Sequence, residues 1–159
     1  MSSLLPMLTL AAAVGSGLMA GFFYSFSNVI MGSLGRVSAP AGIAAMQSIN
    51  IVVLNPIFFV LFFGTALLSV VLFIVALANW GATGSGLTLA GSAIYLAAII
   101  GVTVVFNVPM NNALAAVDPA STAGSALWTD YLNRWTLWNH VRTFGGAASM
   151  ILFVLALMR

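Results

Sequence analysis

The stretch Ile51 to Ala78, IVVLNPIFFVLFFGTALLSVVLFIVALA, carries no charged side chain. About 20 apolar residues are enough for a helix to cross the roughly 30 Å of bilayer hydrocarbon. The one interruption is Asn55-Pro56, where the residue before proline avoids the helical region, so the span proper is expected to enter there. Working outward, Leu4–Met31 precedes this stretch, and Leu87–Phe106 and Phe144–Met158 follow it. The last run is too short unless its helix starts near Trp138. The spans are therefore expected at about 4–31, 51–78, 87–107 and 138–158 of one integral membrane domain. The predicted architecture is all-α, a four-helix transmembrane bundle with short interfacial helices in the first and third connectors. In the first connector Ser38 can cap such a helix and Pro40 suits its first turn. Ile43, Met46, Gln47 and Asn50 then share one face.

Hydrophobic residues make up 62% of the chain and charged ones 4%, which excludes a soluble globular domain, where about a quarter charged is usual. The net charge of +2 comes from four dispersed arginines, too few for a nucleic-acid face. With no cysteine, one histidine and two aspartates, a protein-held metal lacks ligands. No cofactor is expected; a haem with His140 as its single axial ligand is the one arrangement composition leaves open. The first run has no basic leader and exceeds the usual 7–15 apolar residues of a signal peptide, so it is expected to stay as a span. Arg36 and Arg134 against Arg159 alone point the polar end toward the cytoplasm. The expected location is an integral membrane one, the cell inner membrane if the source is bacterial.

Polar side chains gather at one end. The second connector, Asn79–Gly86, has nothing reactive, whereas Tyr24, Asn28, Asn50, Asn55, Asn107, Asn111, Asn112, Tyr131, Asn139, His140 and Arg142 all lie in or beside the other two connectors. Gly17 and Gly21 form a small-xxx-small pair suited to close helix packing, and Tyr24 and Asn28 continue their stripe. At 100° per residue Trp128, Tyr131, Trp135, Asn139 and Arg142 fall on one stripe, with Trp138 at its edge. His140 points away, so it shares a pocket with Arg142 only if the helix bends near Trp138. Asn28-Val-Ile-Met31 is echoed by Asn107-Val-Pro-Met110, and Asn55-Pro56 by Asn139-His140. These echoes suggest parallel duplicated halves, which tend to place a site between them. Asn28 is then expected to face Asn107, with Asn55, Asn139, His140 and Arg142 around the same pocket.

Gly17-Leu-Met-Ala-Gly-Phe-Phe-Tyr-Ser-Phe-Ser-Asn28, Met46-Gln-Ser-Ile-Asn50, Asn55-Pro-Ile-Phe58, Asn107-Val-Pro-Met-Asn-Asn112 and Trp135-Thr-Leu-Trp-Asn-His-Val-Arg-Thr143 together resemble the anthrone oxygenase-like family of small four-span membrane proteins. The chain departs from that pattern after Met31, where Gly32-Ser33 stand in place of a common proline. The resemblance implies oxidation of an anthrone-like or phenolic polycyclic aromatic to a quinone with dioxygen, without a cofactor. For that chemistry His140 is the natural base, since histidine ordinarily titrates near neutral pH. Arg142, with Asn139, Asn107 and Asn111, would hold the oxyanion. Trp135, Trp138 and Tyr131 would stack on a flat substrate arriving from the lipid.

Each residue also has a plainer role open to it. His140 could join helix ends by hydrogen bonding, Arg142 could pair with Asp130 or a lipid phosphate, and Asn107 and Asn111 could satisfy backbone freed at Pro109. The alternative function is a non-catalytic accessory subunit of a larger membrane complex, and homo-oligomerisation is compatible with either. A cavity at the polar cluster separates the enzyme from a packing subunit.

Overall fold

The computed structural model describes residues 4–159. Five helices follow one another: α1 (Leu4–Leu34), α2 (Ala39–Val52), α3 (Pro56–Ala78), α4 (Ser85–Ala115) and α5 (Thr122–Leu157). All but α2 are long and apolar enough to cross a membrane. At 1.5 Å per residue the 36 residues of α5 extend about 54 Å, far beyond the hydrocarbon core. Its first turns must therefore stand outside the membrane, at the polar end of the bundle.

Helix α3 starts at Pro56, as its sequence demands. Asn55 is extended, and its side-chain oxygen accepts the Phe58 N–H at 3.1 Å, while Ile51 and Val52 belong to the end of α2. Ser38 occupies the position before α2 without a side-chain cap bond, and its carbonyl accepts from the Gly42 N–H at 2.9 Å. No separate interfacial helix forms in the third connector. Helix α4 runs on to Ala115 and α5 begins at Thr122, because Gln47 of α2 donates to the Leu114 and Val117 carbonyls (2.9 and 3.0 Å) and satisfies the end of α4 directly. Ser121 caps α5 by accepting from the Gly124 N–H at 2.9 Å.

Small residues let the spans approach closely, though not the pair expected. Gly21 has open space around it and Gly17 meets only the Met150 side chain. The contact face of α1 is instead Ala12, Ala13, Ser16 and Ala20, and a Cβ on Gly146 of α5 would lie 3.0 Å from that of Ala20. Ser149 donates to the Gly91 carbonyl at 2.9 Å, so Ser16 is the donor in the 3.2 Å Ser16–Ser149 contact. Such interhelical hydroxyl bonds hold spans together where lipid offers no hydrophobic drive.

At the polar end of the bundle, α2 and the ends of α1, α4 and α5 enclose a core of Phe26, Met31, Ile43, Met46, Leu114, Trp128, Tyr131 and Trp135. Gly42 seats α2 on this core, since a Cβ there would come within 2.8 Å of the Trp128 ring and 2.9 Å of the Leu34 carbonyl. Gly42→Val is expected to lower the thermal unfolding temperature in detergent, the overpacking costing about 2 kcal/mol. An unchanged midpoint would show that α2 is not clamped by Trp128.

Three wide π-turns lie along the bundle: Phe26–Ile30 in α1, and Tyr95–Gly101 and Thr103–Asn107 in α4. Such turns rotate every later side chain relative to a regular helix and recur at functional sites. The turn in α1 brings Ser27 inward and leaves Asn28 exposed.

Candidate functional site: a buried arginine on the wall of an apolar cavity

Helix α5 runs without a break from Thr122 to Leu157, so its stripe stays on one side. Trp128, Tyr131, Trp135, Asn139 and Arg142 are all buried on it. Arg142 lies about 22 Å along the axis from Leu157, within the hydrocarbon depth. Its Nη2 donates to Asn139 Oδ1 at 2.8 Å and its Nη1 to Thr103 Oγ1 at 3.4 Å. The guanidinium carbon sits 4.2 Å from the Phe23 ring centre and 4.9 Å from that of Trp135, a cation held between two aromatic faces.

Asn107 completes the cradle. Trp135 Nε1 and Arg142 Nη2 are obligate donors, so the Asn107 amide must turn its oxygen to them, at 3.3 and 3.2 Å, rather than its nitrogen. Asn139 is itself fixed from the other side, donating to the Phe23 carbonyl and Ser27 Oγ, each at 2.7 Å. The Phe23 carbonyl lies just before the π-turn of α1, where backbone pairing changes register.

Every partner of Arg142 is neutral. The chain has two acidic side chains. Asp130 pairs with Arg134 at 3.3 Å on the exposed side of α5, and Asp118 accepts the Ala120 N–H at 2.9 Å in the connector before it. Arg142 thus keeps a full charge, 5% exposed, with no protein anion to balance it. Burying an ion costs several kcal/mol even after the protein relaxes.

The guanidinium and Trp135 form part of the wall of a 410 Å³ cavity. Phe22, Phe23, Phe26 and Phe58 make its apolar sides, and Gln47, Asn50, Asn111 and Asn112 its polar rim toward the core at the polar end. Two donors fix the orientation of Asn111: its oxygen accepts from both Tyr131 Oη (2.9 Å) and Trp135 Nε1 (2.8 Å). Its NH2 has no protein partner and is free to donate to a guest.

The expected convergence is therefore partial. Arg142, Trp135 and Asn111 line the cavity, and Asn107, Asn139 and Tyr131 hold them from behind. Four expectations are corrected. His140, two residues from Arg142 on an unbent helix, points about 160° away; it is half-buried, makes no hydrogen bond and does not line the cavity. Asn28 is exposed and does not face Asn107, because the π-turn puts Ser27 in its place. Asn55 spends its side chain capping α3 and closing on the Val52 carbonyl. Trp138 is stacked on Phe106, ring centres 3.5 Å apart, outside the cavity. Ser27, Thr103 and the four phenylalanines were given no site role from sequence, although Ser27 and the phenylalanines lie within the strings that carry the family resemblance.

The family model described as Anthrone oxygenase matches residues 58–152, which take in α4 and the whole Arg142 cradle except its α1 contacts. No curated protein and no solved structure matches the chain.

Proposed function

Since the chain belongs to the anthrone oxygenase family, we propose that its cavity binds the anion of an anthrone-like or phenolic polycyclic aromatic, which dioxygen oxidises there to the quinone. The observation that carries this is Arg142, a buried cation with no protein counter-ion on the wall of a largely apolar chamber. A flat, monoanionic, lipophilic guest supplies the missing charge and fills the aromatic sides. The chamber itself favours an enzyme over a packing subunit, which would fill that volume.

The chemistry needs few protein groups. Loss of one methylene proton gives an enolate whose oxygen Arg142 and the Asn111 NH2 hold, and the proton leaves to water at the polar rim. The electron-rich anion passes one electron to dioxygen, and recombination of the two radicals forms a C–O bond. Protonation of the peroxide, loss of the remaining C–H proton and cleavage of the O–O bond give the second carbonyl and one water. Dioxygen accepts all four electrons lost by the substrate, one of its oxygen atoms becoming the new carbonyl and the other water. Arg142 lowers the barrier by favouring the anion over its neutral parent in a site poor in water. The polar rim, with Arg36 and Arg134 at the same end of the bundle, is assigned to the cytoplasmic face, of the inner membrane in a bacterial source.

Purified protein in lipid should consume one dioxygen per quinone formed from an anthrone, faster than the uncatalysed reaction. No acceleration with any such substrate, together with stoichiometric co-purification with a larger membrane complex, would establish the accessory-subunit alternative. His140→Ala should stay within about threefold of wild type, far from the 10²–10⁴-fold loss that follows removal of a general base. The alkaline rise in rate should move with the acidity of the substrate when substituted anthrones are compared. A rise fixed at one pH for all of them would restore a protein base.

A further inference from the structure

Beyond the Arg142 cavity, a second hollow of 440 Å³ opens between α1 and α3 beneath the end of α2. Leu18, Val52, Ile57 and Leu61 form its outer rim. Leu18 is 53% exposed, Val52 69% and Ile57 75%, so on a membrane-spanning bundle this rim faces the acyl chains. The two hollows share five wall residues, Phe22, Phe26, Ile49, Val53 and Phe58. Phe22 stands in the middle of that wall, its ring centre 5.2 Å from Phe26 and 5.5 Å from Phe58. These shared residues lie between the lipid-facing groove and the chamber, and a phenylalanine turns about two bonds without any backbone change.

We infer that this groove is a lateral portal, through which the lipophilic substrate passes from the bilayer to Arg142, with Phe22 as its movable leaf. The inference rests on the function proposed above and adds the route and the source: a substrate dissolved in the membrane leaflet at the polar end. The depth fits, since Ile57 and Leu61 lie in the first turns of α3, where a molecule with one polar edge and a flat apolar body partitions. The groove wall is almost wholly apolar, so an ionised guest must cross it neutral and lose its proton only at the arginine.

The chain has no cysteine, so single thiols can be placed cleanly. Leu18→Cys lies on the outer rim alone and Ile74→Cys on the lipid face away from both hollows. Each is labelled with pyrene maleimide in nanodiscs. Binding of a hydroxyanthraquinone, ionised at the assay pH, is followed by quenching of Trp fluorescence in stopped flow. The label at Leu18→Cys should slow association and dissociation alike, each at least tenfold, and leave the equilibrium affinity unchanged. The label at Ile74→Cys should do nothing, and unlabelled Phe22→Ala should speed both rates. Unchanged rates on the labelled rim overturn the portal while sparing the binding site. So does a label that slows nothing but displaces a lipid detected by native mass spectrometry, which would make the groove a lipid seat. Failure of the probe to bind unmodified protein overturns the proposed function and the portal with it.

Discussion

Arg142→Met should lower turnover by about 10²–10³-fold, the loss typical of removing a preorganised oxyanion donor, while the ligand-free protein unfolds within a few degrees of wild type. The two halves of that expectation come from opposing costs. Taking the cation away relieves several kcal/mol of uncompensated ion burial. It also leaves Asn139 Oδ1 and Thr103 Oγ1 without their donor, at about 1–3 kcal/mol each, whereas Asn107 Oδ1 keeps Trp135. These nearly cancel, so stability changes little although the most elaborate polar cradle in the bundle has lost its centre. A structural arginine would behave in the opposite way, with stability falling and turnover surviving. Arg142→Lys keeps the charge but cannot span Asn139, Asn107 and Thr103 with one planar fork or lie flat between Phe23 and Trp135. Its turnover should fall between the two. Wild-type turnover in Arg142→Met would end the oxyanion assignment.

That cradle was half legible in the sequence, for reasons that differ from residue to residue. Trp135, Asn139 and Arg142 could be placed on one face because α5 is a regular helix and 100° per residue holds along its length. The same regularity removes His140, since no bend exists to swing it round. Asn28 was misplaced because a π-turn leaves no mark in composition: Phe26–Ile30 contains neither proline nor glycine, yet it advances the helix face. The early start of α5 was hidden from hydropathy by Asp130, Asn133 and Arg134, which lie on its exposed side while Trp128 and Tyr131 anchor the other. The cavity role of Phe22 and Phe58 could not be read for a simpler reason. An apolar residue lining a cavity and one facing lipid read alike.

The two Asn-Val sequences of the echo share one local feature and serve different ends. Both α1 and α4 widen into a π-turn close to their Asn-Val sequence, at Phe26–Ile30 and Thr103–Asn107. In α4 the asparagine follows the turn inward and meets Arg142 and Trp135. In α1 the serine before it turns inward instead and supports Asn139. The second pair of echoes diverges further, because Asn55 caps a helix start whereas Asn139 sits in the middle of one. The site therefore draws its charge and most of its donors from the second half, and from the first half chiefly aromatic walls.

Asn111→Asp tests the charge argument with almost no change of shape. Asn111 Oδ1 accepts from Tyr131 Oη and Trp135 Nε1, and a carboxylate accepts from both equally well, so the wall and its two aromatic supports stay in place. What changes is the side facing the cavity, where a donating NH2 becomes a negative oxygen beside the same chamber as Arg142. Two like charges about 5 Å apart at an effective dielectric of 20 repel by about 3 kcal/mol, or about two powers of ten in affinity. An ionised hydroxyanthraquinone should therefore bind about 100-fold more weakly to this variant, and its neutral methyl ether with unchanged affinity. Equal losses for both ligands would mean that the wall had collapsed. Equal retention would mean that no anion sits beside Asn111, and a neutral aromatic would then be the guest that Arg142 holds by its face rather than its charge.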